Sequence, residues 1–236
     1  GSNNTAVGIK ALAANTIGDW NTAVGTSALN ANSNIGNTAG EWNTAMGGQA
    51  LKNNTAGTNN VAMGVNALVA NVDGNYNIAV GTNALKDNTT GNENVAMGAN
   101  SLASNTGSTG YSNTAVGTNA LQKNTSGFNN VAIGANALKA NATGKYNTAL
   151  GNNTLESNIS GDYNVAVGYK ALSALNDGDS VYNVGVGFNA LLTSTTGYRN
   201  VAIGTSALEA NTSGTHNTAL GHRAYVSGNY SNSTAI

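Results

Sequence analysis

The stretch "NTAVGTNALQKNTSGFN", Asn113 to Asn129, decides the fold, because the chain keeps repeating it. Directly after it, Asn130 opens "NVAIGANALKANATGKY" and Asn147 opens "NTALGNNTLESNISGDY". The core Asn-[Thr/Val/Ile]-Ala-[Val/Met/Ile/Leu]-Gly starts at Asn4, Asn21, Asn43, Asn60, Asn77, Asn94, Asn113, Asn130, Asn147, Asn164, Asn183 (with Gly185 for Ala), Asn200 and Asn217. These are thirteen copies, and a fourteenth begins at Ser233. Most steps are 17 residues; the step from Asn21 is 22, those from Asn94 and Asn164 are 19, and the last is 16. The extra residues fall late in the repeat, as in "SNIGNTAGEW" and "NDGDSVY". Insertions confined to one place mark a loop that tolerates changes of length.

Numbered from its first Asn, the repeat has a large aliphatic at position four and Gly at position five in all thirteen copies. Position nine is Leu until Tyr225 in the last copy, and position three is Ala except at Gly185. In the first twelve copies position twelve is Asn except at Leu175 and Ser194. Seventeen residues cannot hold two helices, which excludes the helical repeat families by length. A single helix would carry Gly at positions five and fifteen, at a cost of about 1 kcal/mol each. Two short strands fit better. β-Branched position two and aliphatic position four flank a small Ala, which is period-two alternation. The Ala-Leu pair at eight and nine is expected to form the second strand. Asn-Thr-x-Gly reads as a turn, with its Gly available for positive φ.

The chain contains no Asn-Gly dipeptide, the strongest two-residue hairpin signal. Identical residues at a fixed period suit stacking instead. The expected fold is therefore all-β: a β-solenoid (parallel β-roll) with one turn per 17-residue repeat, stacked at about 4.8 Å. Thirteen turns would make a rod of roughly 60 Å. Asn at positions one and twelve is expected to form amide ladders along the stack as well as turns. The aliphatics at position four, such as Val116, Ile133, Leu150 and Val167, are expected to point into the coil with Leu121, Leu138, Leu155 and Leu172 at position nine. Two large side chains per turn are too little apolar burial to offset the ordering of seventeen residues. Hydrogen-bond ladders and oligomerisation must contribute. Position two, Thr in six copies and Val or Ile in seven, suits a half-buried surface facing partner chains.

"NTAVG", "NVAIG" and the closing "VSGNYSNSTAI" resemble the head repeats of trimeric autotransporter adhesins (YadA-like). The longer "NTAVGTNALQKNTSGFN" resembles the repeats of phage-type tail fibre proteins and related bacterial surface proteins. The resemblance covers residues 4–236, although the adhesin head repeats are shorter than seventeen residues. It implies a left-handed parallel β-roll, three chains about one axis, and an extracellular adhesive role.

Composition narrows the chemistry. Of 236 residues only 8% are charged, the net charge is −1, and Cys and Pro are absent. No disulfide, thiol nucleophile or zinc-thiolate site is therefore possible. The charge balance gives no footprint for nucleic acid, and no run approaches the ~18 apolar residues of a membrane span. Gly1-Ser2 reads as a cloning scar, and residues 3–236 as a single repeat domain that stops mid-motif. We read the chain as an excised piece of a longer protein, for which missing targeting signals say nothing. His216 and His222, in adjacent turns, have no acid partner or further ligand nearby in sequence. "NDGDS", Asn176 to Ser180, has an acidic look suited to Ca²⁺ or to a plain Asx turn. No nucleophile elbow, paired carboxylate or phosphate loop is present, so no enzyme activity and no cofactor are expected.

One stripe stands out. Positions sixteen and seventeen, allowing for the longer loops, carry Trp20, Trp42, Tyr76, Tyr111, Phe128, Tyr146, Tyr163, Tyr182, Tyr198 and Tyr230. Along one edge of a solenoid these rings either offer stacking platforms to a glycan or protein partner, or stack on one another and shield the backbone. The expected function is an extracellular structural or adhesive fibre segment on a cell surface or virion, self-associating as a homotrimer. A host glycan or surface protein is its candidate partner. A passive stalk spacer is the bland version of that reading. An ice-binding solenoid is the alternative, on the Thr columns at position two and at position thirteen (Thr16, Thr55, Thr89, Thr125, Thr195, Thr212).

Overall fold

The structure, a computed structural model, describes residues 1–32, 40–106, 109–176, 178, 181–225 and 228–236. Among these residues it is an all-β parallel β-solenoid with one strand opening each repeat and no helix. The chain divides into two compact units, Gly1–Asn119 and Ala120–Ile236. Unit 1 holds β1 (Thr5–Val7), β2 (Thr22–Val24), β3 (Thr44–Met46), β4 (Val61–Met63), β5 (Ile78–Val80), β6 (Val95–Met97) and β7 (Thr114–Val116). Unit 2 holds β8 (Val131–Ile133), β9 (Thr148–Leu150), β10 (Val165–Val167), β11 (Val184–Val186), β12 (Val201–Ile203), β13 (Thr218–Leu220) and β14 (Thr234–Ala235). Within each unit, neighbours in chain order pair parallel and in register. Ala62 lies beside Ala79 in unit 1, and Ala149 beside Ala166 in unit 2.

Strands β1 to β13 are only three residues long because a glycine ends each of them. This Gly at position five takes φ between +117° and +137°, a conformation that glycine alone adopts readily. It is also crowded, since a Cβ on Gly64 would stand 2.7 Å from the backbone of Gly81 in the next turn. Positions seven and nine then enter the left-handed region, as at Asn66 (φ 58°) and Leu68 (φ 51°). Extended backbone cannot run through them. The expected second strand over Ala-Leu is therefore absent, and that segment is a series of turns. Stacking still satisfies it. The Leu51 N–H donates to the Ala67 carbonyl at 3.0 Å, and Asn66 to Gly48 at 3.0 Å.

The coil interior is narrow. Ala at position three, Ala at position eight and Leu at position nine are fully buried through nearly every turn, together with Asn at positions one and twelve. The expectation for position nine is met. That for position four is not: Ile133 is 38% exposed and Leu150 45%, while Val116 and Val167 are half-buried. The alternation has the opposite phase, with Ala inward and its two neighbours outward. A Cβ on Gly185, the one glycine at position three, would lie 3.3 Å from Leu172 Cγ. Leu at position nine thus already fills the space opposite the strand, and only a methyl group fits there.

The glycine of the Asn-Thr-x-Gly turn also differs from expectation. It does not adopt positive φ. Its requirement is closeness: a Cβ on Gly74 would sit 2.6 Å from the Gly91 carbonyl oxygen of the next turn.

Candidate functional site

Two amide ladders hold the turns in register. At position one, the N–H and the Nδ2 of Asn60 both donate to Asn43 Oδ1, at 3.0 and 3.2 Å, and Nδ2 also donates to the Gly74 carbonyl at 2.8 Å. Asn71 at position twelve donates to Asn54 Oδ1 at 2.8 Å and to the same Gly74 carbonyl at 3.0 Å. The position-fifteen carbonyl is thereby clamped by two amides. Buried polar groups must be paired, and here the pairing itself enforces the repeat. The predicted ladders are present. A third, partly exposed ladder, which recurrence in the sequence did not single out, runs along position seven from Asn66 through Asn83 and Asn100 to Asn119.

Outside this polar frame lies a smooth face. Positions two and four, flanking the buried Ala, point outward on β1 to β7 in unit 1 and again on β8 to β13 in unit 2. Met46, Met63, Met97, Ile133, Leu150, Ile203 and Leu220 are all 38 to 47% exposed. Not one of the thirteen copies carries a charge at either position. In-register pairing turns these residues into two straight columns per unit, with a pitch of about 4.8 Å.

The aromatic stripe occupies a corner whose position-seventeen residues also have positive φ, for example Trp20, Trp42, Tyr76, Tyr146, Tyr163 and Tyr182. The rings largely stack on each other. Trp20 lies on Trp42 at 5.1 Å and 6°. Tyr146, Tyr163 and Tyr182 form a continuous pile at 4.9 and 5.1 Å. Phe128 meets Tyr146 edge-on, and the Arg199 guanidinium caps Tyr182 at 6.0 Å. The ring faces in this pile are thus covered, and edges and hydroxyls meet solvent. Tyr111 in unit 1 and Tyr198 in unit 2 stand at position sixteen of their repeats, and Tyr198 meets His216 edge-on. Tyr230 leans on Tyr225 at 5.8 Å. Tyr76 differs: its position-seventeen neighbours are Asn59 and Glu93, and it is 61% exposed. A second stacked pair, Tyr169 on Phe188 at 5.5 Å, stands at position six, next to the smooth face. The pair occurs once, so no recurrence marks it in the sequence.

The remaining candidates are scattered. His216 and His222 stand in different columns, positions seventeen and six, and Arg199 Nη1 lies 3.3 Å from His216 Nε2. Among the described residues no group of three His, Asp or Glu could hold a metal ion. Asp177, Asp179 and Ser180 of the "NDGDS" segment lie outside the described residues. Thr55, Thr89, Thr125 and Thr195 at position thirteen each donate their hydroxyl to a carbonyl of the next turn, at 3.0 to 3.3 Å. Only their oxygen lone pairs are left to order water. Comparison with protein-family models gives no match, and comparison with curated proteins gives none either.

Proposed function

We propose that the chain is a segment of an extracellular attachment or fibre protein, and that it self-associates as a homotrimer through the smooth face. One observation carries the reading: two uncharged, largely apolar columns per unit that point outward and are half-buried or exposed. Charged residues stand at positions seven, ten, eleven, fourteen, sixteen and seventeen but never at two or four. A stable interface takes about 800 Å² from each partner, which calls for a contact running along many turns rather than at one strand. A second copy of the chain brings side chains at the same pitch, so every strand finds the same fit. The resemblance to adhesin heads supports three copies rather than two. The cell surface or the virion is the setting this reading entails, with a glycan or surface protein as the attachment partner.

Light scattering at micromolar concentration tests the assembly. The expected mass is three times the 23.5 kDa chain mass, and Leu150→Lys should bring it down to one chain with little change in fold. A wild-type monomer would overturn the proposed packing. A cell-binding assay tests attachment: wild-type protein that binds neither cells nor a glycan array is a passive spacer.

A further inference from the structure

The corner around Tyr76 carries a groove of about 680 Å³. It runs between two consecutive turns and is lined by Thr55, Ala56, Thr58, Val72, Asp73, Asn75 and Tyr76. Ala56 brings the smallest side chain to the lining, and the Asn59 amide, one turn before Tyr76 in its column, is engaged with Thr58 Oγ1 at 3.2 Å. The groove therefore pairs an aromatic ring that no other ring stacks on among the described residues with a mixed floor, to which Thr55, Thr58, Asp73 and Asn75 bring polar groups and Ala56 and Val72 apolar ones.

Three groups face the groove with capacity to spare. The Asp73 carboxylate is exposed and makes no ion pair or hydrogen bond among the described residues. Asn75 gives one amide hydrogen to the Asp73 carbonyl at 2.9 Å, which leaves the second. Its Oδ1 accepts from the Thr58 N–H at 2.7 Å and from the Thr58 hydroxyl at 2.9 Å, which fixes the amide in place. Tyr76 has no ring stacked on it among the described residues, whereas Tyr146, Tyr163 and Tyr182 spend their faces on one another.

We infer that this groove binds a neutral saccharide. The Tyr76 ring takes the apolar C–H face of a pyranose. Asp73 accepts from one hydroxyl while Asn75 donates to its neighbour, a pairing that vicinal hydroxyls satisfy and a simple hydrocarbon cannot. The carboxylate, with Glu93 at position seventeen of the next turn, disfavours uronates and sulfated sugars. The site is shallow, so single-site affinity is weak and several chains per fibre multiply it. The inference rests on the attachment reading above but names a single site within it.

The test is a titration of the 236-residue chain with neutral methyl pyranosides at millimolar concentration, followed by tyrosine fluorescence and amide chemical shifts. Methyl glucuronide and a methylammonium salt are the charged controls. Tyr76→Ser and Asp73→Asn should each weaken binding of a neutral sugar at least about tenfold, with thermal unfolding unchanged, while Tyr146→Ser leaves it intact. Retained sugar binding in Tyr76→Ser overturns the site, and a response to methylammonium alone overturns the saccharide. If the wild type attaches to cells but no neutral pyranoside binds or competes, the inference fails and the attachment reading stands. If it attaches to nothing, both fail.

Discussion

In unit 1 the position-twelve column reads Asn15, Asn32, Asn54, Asn71, Asn88, Asn105, and each amide after the first donates to the one before it. The rung between Asn32 and Asn54, where the sequence is five residues longer, is kept at 3.3 Å. In unit 2 the same column reads Asn124, Asn141, Asn158, Leu175, Ser194, Asn211. Around the gap the chemistry changes. Asn158 Oδ1, which has no amide in the following rung, accepts the Gly161 N–H of its own turn at 3.1 Å. Asn211 does the same with Gly214 at 3.0 Å. Ser194 Oγ is buried and has no hydrogen-bond partner among the described residues. Position seven is less regular in both units: the Asn column starts only at Asn66 in unit 1, after Lys10, Ser27 and Gln49, and in unit 2 Lys170 interrupts it, where Asn189 Oδ1 has no partner among the described residues.

The difference shows which ladder is indispensable. Unit 2 keeps an unbroken position-one ladder, with the backbone N–H groups of Asn147, Asn164, Asn183, Asn200 and Asn217 each donating to the previous Asn Oδ1. That ladder fixes the strand register, because it binds the backbone N–H entering each strand. Position twelve links side chain to side chain and doubles the clamp on the position-fifteen carbonyl, but it binds no backbone N–H of the next turn's strand. One donor can be lost where another remains.

The largest expected effect lies where the two units are identical. Gly64→Ala in unit 1 and Gly204→Ala in unit 2 both force a left-handed φ of +134° on a residue with a Cβ and press that Cβ into the next turn. Strain and overlap together should cost about 4 kcal/mol in either case. Denaturant unfolding of each variant checks this. A clear inequality between the two would mean that the broken ladder in unit 2 weakens the strands too.

The next effect separates the units. Removing a position-one amide strands the N–H of the following Asn in both, but the carbonyl it clamps fares differently. In Asn60→Ala the Gly74 carbonyl keeps Asn71 as a donor. In Asn183→Ala the Gly197 carbonyl loses its amide donor at 2.8 Å, because position twelve of that turn is Ser194. Asn183→Ala should therefore cost about 1 to 3 kcal/mol more than Asn60→Ala, the penalty of one more buried unpaired carbonyl. Equal costs would show that position twelve contributes nothing to the clamp.

How far this is legible in the sequence depends on the kind of signal each position carries. Leu138 in the core and Asn60 in a ladder follow from strict recurrence, since stacking places like on like. The phase of the strand is misread when hydrophobicity alone is taken as the mark of the inside. The better signal is variability. Position four ranges over Val, Met, Ile and Leu, as a surface tolerates, while position three hardly departs from Ala, as a filled interior demands. The missing second strand cannot be read at all: Leu68 at φ 51° defies its own propensity, held there by stacking with the turns beside it. For the same reason Tyr76 looks like any other member of the aromatic stripe. Its isolation depends on Asn59 and Glu93, which share its column one turn away on either side.

The smallest effect is a repair. Ser194→Asn places an amide in the interrupted column, where its Nδ2 can donate to the Gly197 carbonyl and its Oδ1 can accept from Asn211. Two net hydrogen bonds are worth about 1 kcal/mol each, and the orphaned hydroxyl disappears. Against this stands the ordering of a longer side chain, at up to about 1 kcal/mol, and the rung toward Leu175 stays empty. The expected result is a net gain of about 1 kcal/mol, visible as slower amide exchange in the turns opened by Asn183 and Asn200 rather than across the chain, since repeats stabilise mainly their neighbours. Leu175→Asn by itself should lose stability, because it gives up a fully buried leucine worth about 2 kcal/mol for an amide facing only one complementary rung. Joined to Ser194→Asn, it rebuilds the column as unit 1 has it, and the pair should show favourable coupling. If Ser194→Asn destabilises the chain, or if the double variant shows no coupling, then the packing around position 194 is shaped for serine, and the gap in unit 2 is an adapted packing solution rather than a ladder with a rung missing.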